Sequence, residues 1–200
     1  QNALPDVMRG EETQVVGALA LHPEFAANST LVMPGTHSKW ARIEHGQVHS
    51  FVTYMTGEMF AVLSQHSVLG RLFPPGAAAD DAVGFAAGVR AGVDGADTGL
   101  THQLVAVRTL GLMGDLAPAA LPAYLSGLLI GHEIHAGLHA RSTAGLDCTP
   151  LVLIGEPKLC ALYASALEIL GAQTGVILPN TAPDGLWQLA LAAGLVTVDA

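Results

Sequence analysis

The chain has 200 residues, a formal net charge of −9, half its residues hydrophobic and only 12% charged. Such a composition excludes disorder and supplies one domain with a sizeable core. The acidic balance argues against a nucleic-acid partner, whose phosphates call for basic patches. The most apolar stretch, Leu121 to Ile130, is too short to span a membrane and ends at Gly131-His132-Glu133. Cys148 and Cys160 lack metal spacing and read as buried free thiols, which suits a reducing cytoplasm. Gln1 falls in what reads as the middle of a segment, so an amino-terminal part is expected ahead of it.

In chain order, residues 10 to 21 read as a helix with Glu11 and Glu12 in its first turn, where the helix dipole favours acids. Three strands are expected near 29–34, 39–45 and 47–54, with His45-Gly46 as a tight hairpin. In the second of them Trp40, Arg42 and Glu44 alternate with Ala41 and Ile43, the pattern of a half-exposed strand. Thr56 is expected to cap a helix continuing through Met59, Val62, Leu63 and His66. Residues 74–79 break the pattern, and Asp81 starts a helix to about Val93. Further helices are expected near 101–113 and 121–139, making 56–140 a helical block without strands. Residues 150–154 then read as a short buried strand. A helix from Pro157 to Leu170 follows, stopped by Gly171, then a strand at 175–178 and a helix at 184–194.

The segment Pro34-Gly35-Thr36-His37-Ser38-Lys39-Trp40 joins two of these strands. Gly35 permits close approach of a ligand to the backbone, Thr36 and Ser38 bring hydroxyls, and Lys39 a positive charge. Exposed N–H groups in a concave turn beside a cation are what a phosphate needs. The same residues also suit an ordinary inter-strand loop with a solvated lysine, and Trp40 reads as a packing residue.

The element order is three antiparallel strands, helices, then strand, helix, strand, helix. This is an α/β chain with the order of a ribonuclease-H-like unit, as in actin-like ATPase domains, carrying a helical insertion. Four segments stand in sequence: Asp6-Val7-Met8-Arg9-Gly10-Glu11-Glu12-Thr13-Gln14, the Pro34–Trp40 loop, Tyr54-Met55-Thr56-Gly57-Glu58 and Leu153-Ile154-Gly155-Glu156-Pro157. Together they closely resemble the 2-dehydro-3-deoxygalactonokinase family, sugar-acid kinases of the actin-like ATPase superfamily. Members are about half as long again, by the usual size of a two-domain architecture. They begin with an Asp-x-Gly-Thr-Thr-like phosphate loop that this sequence lacks. The resemblance therefore divides the chain into residues 1–28, the end of a preceding domain with an interdomain helix, and residues 29–200, a carboxyl-terminal actin-like domain with its insertion near 56–140. A fragment of this kind is expected to lack one wall of the nucleotide cleft and much of the sugar-acid pocket.

The resemblance implies ATP and Mg²⁺ as cofactors and transfer of the γ-phosphoryl to the 6-hydroxyl of 2-dehydro-3-deoxy-D-galactonate. Glu11 or Glu12 would orient the attacking hydroxyl and accept its proton, although helix electrostatics alone also explains two acids there. Gly35, Thr36, His37 and Ser38 would meet phosphate, and Lys39 would reach a phosphate or the sugar-acid carboxylate. Gly155, Glu156 and Pro157 would border adenosine, or form a plain strand-to-helix turn. Arg9 would pair with the substrate carboxylate, or with Asp6. Thr56 and Glu58 would meet substrate, with Glu58 reaching Mg²⁺ through water, or serve as capping residues only. His132, His135 and His139 lack the spacing of a zinc-protease helix, whose fifth position is Ala136 here, and no metal site is assigned to them. The partners expected are a sugar acid and ATP, with self-association into a homodimer open if a missing half bares an apolar face. The rival readings are a non-catalytic actin-like module that senses nucleotide or sugar acid or serves as an assembly scaffold, and a metal-dependent hydrolase built on the His-rich helix.

Overall fold

The apolar runs Leu31-Val32-Met33 and Leu151-Val152-Leu153-Ile154 have no polar alternation, and each becomes a strand buried on both faces. In the computed structural model, which describes residues 5–173 and 175–197, they pair in parallel at the centre of a five-stranded sheet. The strands are β1 (Asn28–Met33), β2 (Ser38–Glu44), β3 (Gln47–Tyr54), β4 (Leu151–Ile154) and β5 (Val176–Leu178), in the spatial order β3-β2-β1-β4-β5. The first three are antiparallel, and β1, β4 and β5 run parallel. His45 and Gly46, both at positive φ, form the expected two-residue hairpin between Glu44 and Gln47.

Seven α-helices stand among the described residues: α1 (Glu11–Leu21), α2 (Thr56–His66), α3 (Ala82–Asp94), α4 (Leu100–Met113), α5 (Leu121–Thr143), α6 (Pro157–Ile169) and α7 (Ala182–Ala192). The chain is thus mixed α/β, and its elements follow the expected order. Three local readings change. Strand β2 alternates only at its end, where Arg42 and Glu44 are half-buried beside the buried Ala41 and Ile43, whereas Ser38, Lys39 and Trp40 at its start are all buried. Thr56 is the first helical residue of α2, and no side chain caps that helix. Helix α7 begins at Ala182, two residues early, because Pro183 fits the first turn, where its missing N–H costs nothing. Gly171 does stop α6: the Gly171 and Ala172 N–H groups donate to the Glu168 and Leu167 carbonyls, a Schellman closure.

The chain divides into two compact units. The first comprises Gln1–Tyr54, Cys148–Ala164 and Gln173–Ala200, and contains the sheet. One sheet face puts Leu31, Met33, Ala41, Ile43, Val152 and Ile154 against Val15 and Ala18 of α1. Helices α1 and α7 meet through glycines: a Cβ on Gly17 would lie 1.9 Å from the Thr181 carbonyl oxygen. On the other face Ser38 shares a hydrogen bond with the buried Tyr163 of α6. The second unit comprises Met55–Asp147 and Ser165–Ala172. In it Gly84, Gly88 and Gly92 of α3 bring its backbone against α5, with Gly127 and Gly131 answering from α5. Cys160 is buried as expected, whereas Cys148 is exposed, since it lies in the turn leading to β4 rather than in an element. No helix among the described residues is long and apolar enough to cross a membrane.

Candidate active site

Parallel strands deliver their carboxyl ends to one edge of a sheet, and ligands of open α/β sheets bind in the crevice outside those ends. Here β1 runs out into Pro34-Gly35-Thr36-His37, β4 into Gly155-Glu156-Pro157, and β5 into Pro179-Asn180. All three exits line one cavity of about 590 Å³, together with Met33, Ile154, and Glu11 and Gln14 of α1. Every lining residue belongs to the first unit. Glu11 and Gln14 are three residues apart and so share a helix face. The α1–α7 glycine contact and the Thr181 hydroxyl, which donates to the Gln14 carbonyl at 2.7 Å, hold that helix in place.

The two acids at the start of α1 face different surroundings. Glu11 lines the cavity, and both its oxygens are engaged: Oε1 lies 3.1 Å from Lys39 Nζ, and Oε2 accepts from the Arg9 N–H at 2.8 Å. Burial, the largest single influence, pushes its carboxyl up. The Arg9 and Glu11 N–H groups and the Lys39 ammonium outweigh that and hold it below the usual glutamate value. Glu12 is exposed, and its Oε2 accepts from the Gly10 N–H at 2.7 Å. Lys39 is not the solvated lysine of an ordinary loop: its side chain is 4% exposed, lies behind Glu11 and also donates to the His37 carbonyl at 3.2 Å.

At the second strand exit, Gly155 has φ 143°, a conformation that favours glycine, and its N–H donates to the Leu178 carbonyl at 3.2 Å. Glu156 then caps α6, its Oε2 accepting from the Leu159 N–H at 2.8 Å. The Leu159 and Lys158 N–H groups hold its carboxyl below the usual range. Gly35 is different: no atom lies within 4 Å of where its Cβ would stand, and its φ is not positive, so neither packing nor backbone conformation calls for glycine there.

Of the residues singled out in the sequence, Glu11, Gly35, Thr36, His37, Gly155, Glu156 and Pro157 line this cavity. Ser38 and Lys39 are buried beneath the same loop and do not line it, and Glu12 and Arg9 are exposed outside the lining. Thr56 and Glu58 open α2 in the other unit. Gln14, Pro179 and Asn180 were missed. Gln14 carries a buried side-chain oxygen without a hydrogen-bond partner, while Asn180 Oδ1 accepts from the Ala182 N–H at 3.0 Å. Position after a parallel strand was the available signal for Pro179 and Asn180. For Gln14 it was the spacing from Glu11. His132 pairs with Gln103 in the helical unit, and no group of three or more His, Cys, Asp or Glu suited to a metal occurs among the described residues.

Residues 1–189 match the sequence model of a family of kinases. The chain belongs to that family, which is described as 2-keto-3-deoxy-galactonokinase. It is 36% identical over 183 residues to the 2-dehydro-3-deoxygalactonokinase of Escherichia coli K12, a match covering 88% of this chain and 56% of the relative. It is 41% identical over 174 residues to a Rhizobium meliloti 1021 protein named "Probable 2-dehydro-3-deoxygalactonokinase DgoK1", covering 84% and 53%. The chain thus spans about half the length of these curated relatives. A solved structure titled "a putative 2-dehydro-3-deoxygalactonokinase protein from Sinorhizobium meliloti" matches with TM-score 0.83 at 35% identity, over 98% of this chain and 64% of that one.

Proposed function

We propose that this chain is the carboxyl-terminal part of a sugar-acid kinase that transfers the γ-phosphoryl of ATP to the 6-hydroxyl of 2-dehydro-3-deoxy-D-galactonate. The observation that carries the reading is the meeting of the Glu11 carboxylate and the Pro34–His37 loop in one cavity at the ends of three parallel strands. Family membership and the relatives' names supply the substrate class. The sheet order β3-β2-β1-β4-β5, three antiparallel strands followed by two parallel ones, supports a ribonuclease-H-like arrangement. The compact unit that contains Met55–Asp147 supports an insertion near 56–140 within an actin-like domain spanning 29–200, and residues 1–28, whose helix α1 packs on the same sheet, are assigned as the link from a preceding domain. Free thiols in both cysteines fit a cytoplasmic setting.

Phosphoryl transfer asks a protein for positioning and charge stabilisation more than for covalent chemistry. In this reading the phosphate donors are the Thr36 N–H and the Gly35 N–H, which reaches Ser38 Oγ only at 3.4 Å, and the bare space at the Gly35 Cβ position supports close backbone approach. Glu11, ionised by its surroundings, orients the attacking hydroxyl and accepts its proton. The oxygens engaged by Lys39 and Arg9 each retain a further lone pair for that hydroxyl. Gly155 and Pro157 form the adenosine border. Mg²⁺ is held in such sites by one or two carboxylates plus substrate phosphates. Of the cavity's carboxylates, Glu11 is engaged by Lys39 and assigned to the hydroxyl, so Glu156 is the one that fits this requirement and would hold the ion against the phosphates.

The test is a ³¹P measurement on the complete gene product with ATP, Mg²⁺ and the sugar acid. The expected result is ADP together with a 6-phosphate ester, both dependent on the sugar acid. Binding of both compounds without any transfer would overturn the reading in favour of a non-catalytic module.

A further inference from the structure

Lys39 is the one residue of the Pro34–Lys39 segment whose charge is almost wholly withdrawn from water while its nitrogen lies beside a cavity carboxylate. A buried ammonium is tolerated only when it is paired and hydrogen-bonded. Lys39 meets that requirement with Glu11 Oε1 at 3.1 Å and the His37 carbonyl at 3.2 Å. One side chain therefore ties three things together: the first residue of α1, the loop after β1, and the start of β2, where Lys39 itself pairs with Met33 and Thr53. Asp6 joins the same cluster. Its Oδ2 accepts from the Thr53 N–H at 2.7 Å, directly across the ladder from Lys39, and the Lys39 charge acts on it too.

We propose that Lys39 is a positioning residue, which fixes the Glu11 carboxylate toward the cavity and locks the phosphate-facing loop to α1 rather than touching phosphate itself. The inference rests on the assignment of Glu11 as the proton acceptor. With the Arg9 N–H on Oε2 and Lys39 on Oε1, the carboxylate is restrained at both oxygens, so its rotamer is set before substrate arrives. Such restraint is what a reacting group needs, since orientation fixed in advance lowers the barrier. The charged groups around Glu11 are Lys39 from β2, Arg9 and Glu12 from its own segment, and Asp6. His37 and Glu156 line the same cavity as Glu11. Lys39 is the only one of these cations with a nitrogen in an ion pair with Glu11 among the described residues.

The test compares Lys39→Met and Lys39→Arg in the complete gene product, reading the Glu11 carboxyl by ¹³C NMR titration alongside steady-state kinetics. Lys39→Met should raise the Glu11 midpoint, move the acid limb of kcat upward with it, and lower kcat about tenfold or more. The KM for ATP should stay within about twofold, and Lys39→Arg, which keeps the charge, should restore much of the kcat. A raised KM for ATP with an unmoved Glu11 midpoint would overturn the proposal and make Lys39 a phosphate ligand. If the unsubstituted protein transfers no phosphoryl, the kinase reading fails, yet the titration still decides whether Lys39 controls Glu11. Should Lys39→Met not fold, the unsubstituted protein serves. Its Lys39 side-chain resonances should shift with the Glu11 midpoint, and indifference of those resonances would sink the proposal.

Discussion

Gly17 of α1 and Gly185 of α7 stand face to face, each against the other helix's backbone: a Cβ on Gly17 would lie 1.9 Å from the Thr181 carbonyl oxygen, and one on Gly185 1.8 Å from that of Thr13. This contact sets the axial position of α1, and with it where Glu11 and Gln14 enter the cavity. Alanine at either position meets backbone, which cannot swing aside as a side chain would. Gly17→Ala or Gly185→Ala should therefore destabilise the protein by about 2–3 kcal/mol through overpacking, measured by denaturant unfolding. Where the variants fold, displacement of α1 should also lower kcat. An unchanged midpoint would mean that the helices are not in contact.

Glu11 and Glu12 are neighbours in sequence but not in surroundings, and that separates their substitutions. Glu11→Gln removes the cavity carboxylate and should lower kcat about a hundredfold or more, with KM for ATP little changed. Glu12→Gln removes an exposed carboxylate that accepts from the Gly10 N–H and does not line the cavity, and activity should stay within about threefold. Steady-state kinetics on the pair reads the difference directly. Equal losses would mean that both carboxylates, or neither, act on the hydroxyl.

Much of this arrangement was legible in the sequence, for identifiable reasons. The Pro-Gly punctuation after Leu31-Val32-Met33 and the Gly-Glu-Pro turn after Leu151–Ile154 mark where buried strands end, and those ends make the cavity. His45-Gly46 and Gly171 announce backbone conformations that few other residues adopt readily. What was not legible depends on partners distant in the chain. A lysine in a polar loop is normally solvated, and only the docking of α1, which brings Glu11 beside it, makes Lys39 a buried one. The choice between Glu11 and Glu12 is a matter of helix phase, and that phase is set by a glycine contact with α7 some 170 residues away. Thr56 looked like a cap because threonine often is one; here the helix simply begins with it.

Two glycines at the cavity should respond oppositely to alanine. Gly155 holds φ 143°, so Gly155→Ala should cost about 1–3 kcal/mol of stability from backbone strain. Gly35→Ala meets no atom within 4 Å and should leave stability within about 0.5 kcal/mol. If the Gly35 N–H faces phosphate, however, the new methyl raises KM for ATP. Thermal melts and kinetics on the two variants together distinguish a glycine kept for the fold from one kept for a ligand.

The last prediction concerns the helical unit, where His132 Nε2 shares a hydrogen bond with Gln103 Oε1, and Gln103 Nε2 in turn donates to the Ala91 carbonyl at 2.6 Å. Since Gln103 Oε1 only accepts, His132 must carry its proton on Nε2. Burial, with a smaller contribution from His135, pulls the imidazole below its usual value. The sign follows from linkage. In the unfolded chain the ring takes up a proton near pH 6.5, whereas in the folded chain it resists until lower pH. The unfolded state therefore binds more protons in between, and stability falls as pH drops from about 6.5 toward the folded midpoint, then levels off. His132→Gln removes the titrating ring, so the difference in Tm between the parent and this variant should shrink on going from pH 7.5 to pH 5.5. Calorimetric scans at the two pH values check this, and a Tm difference independent of pH would show that the His132 ring titrates alike in both states.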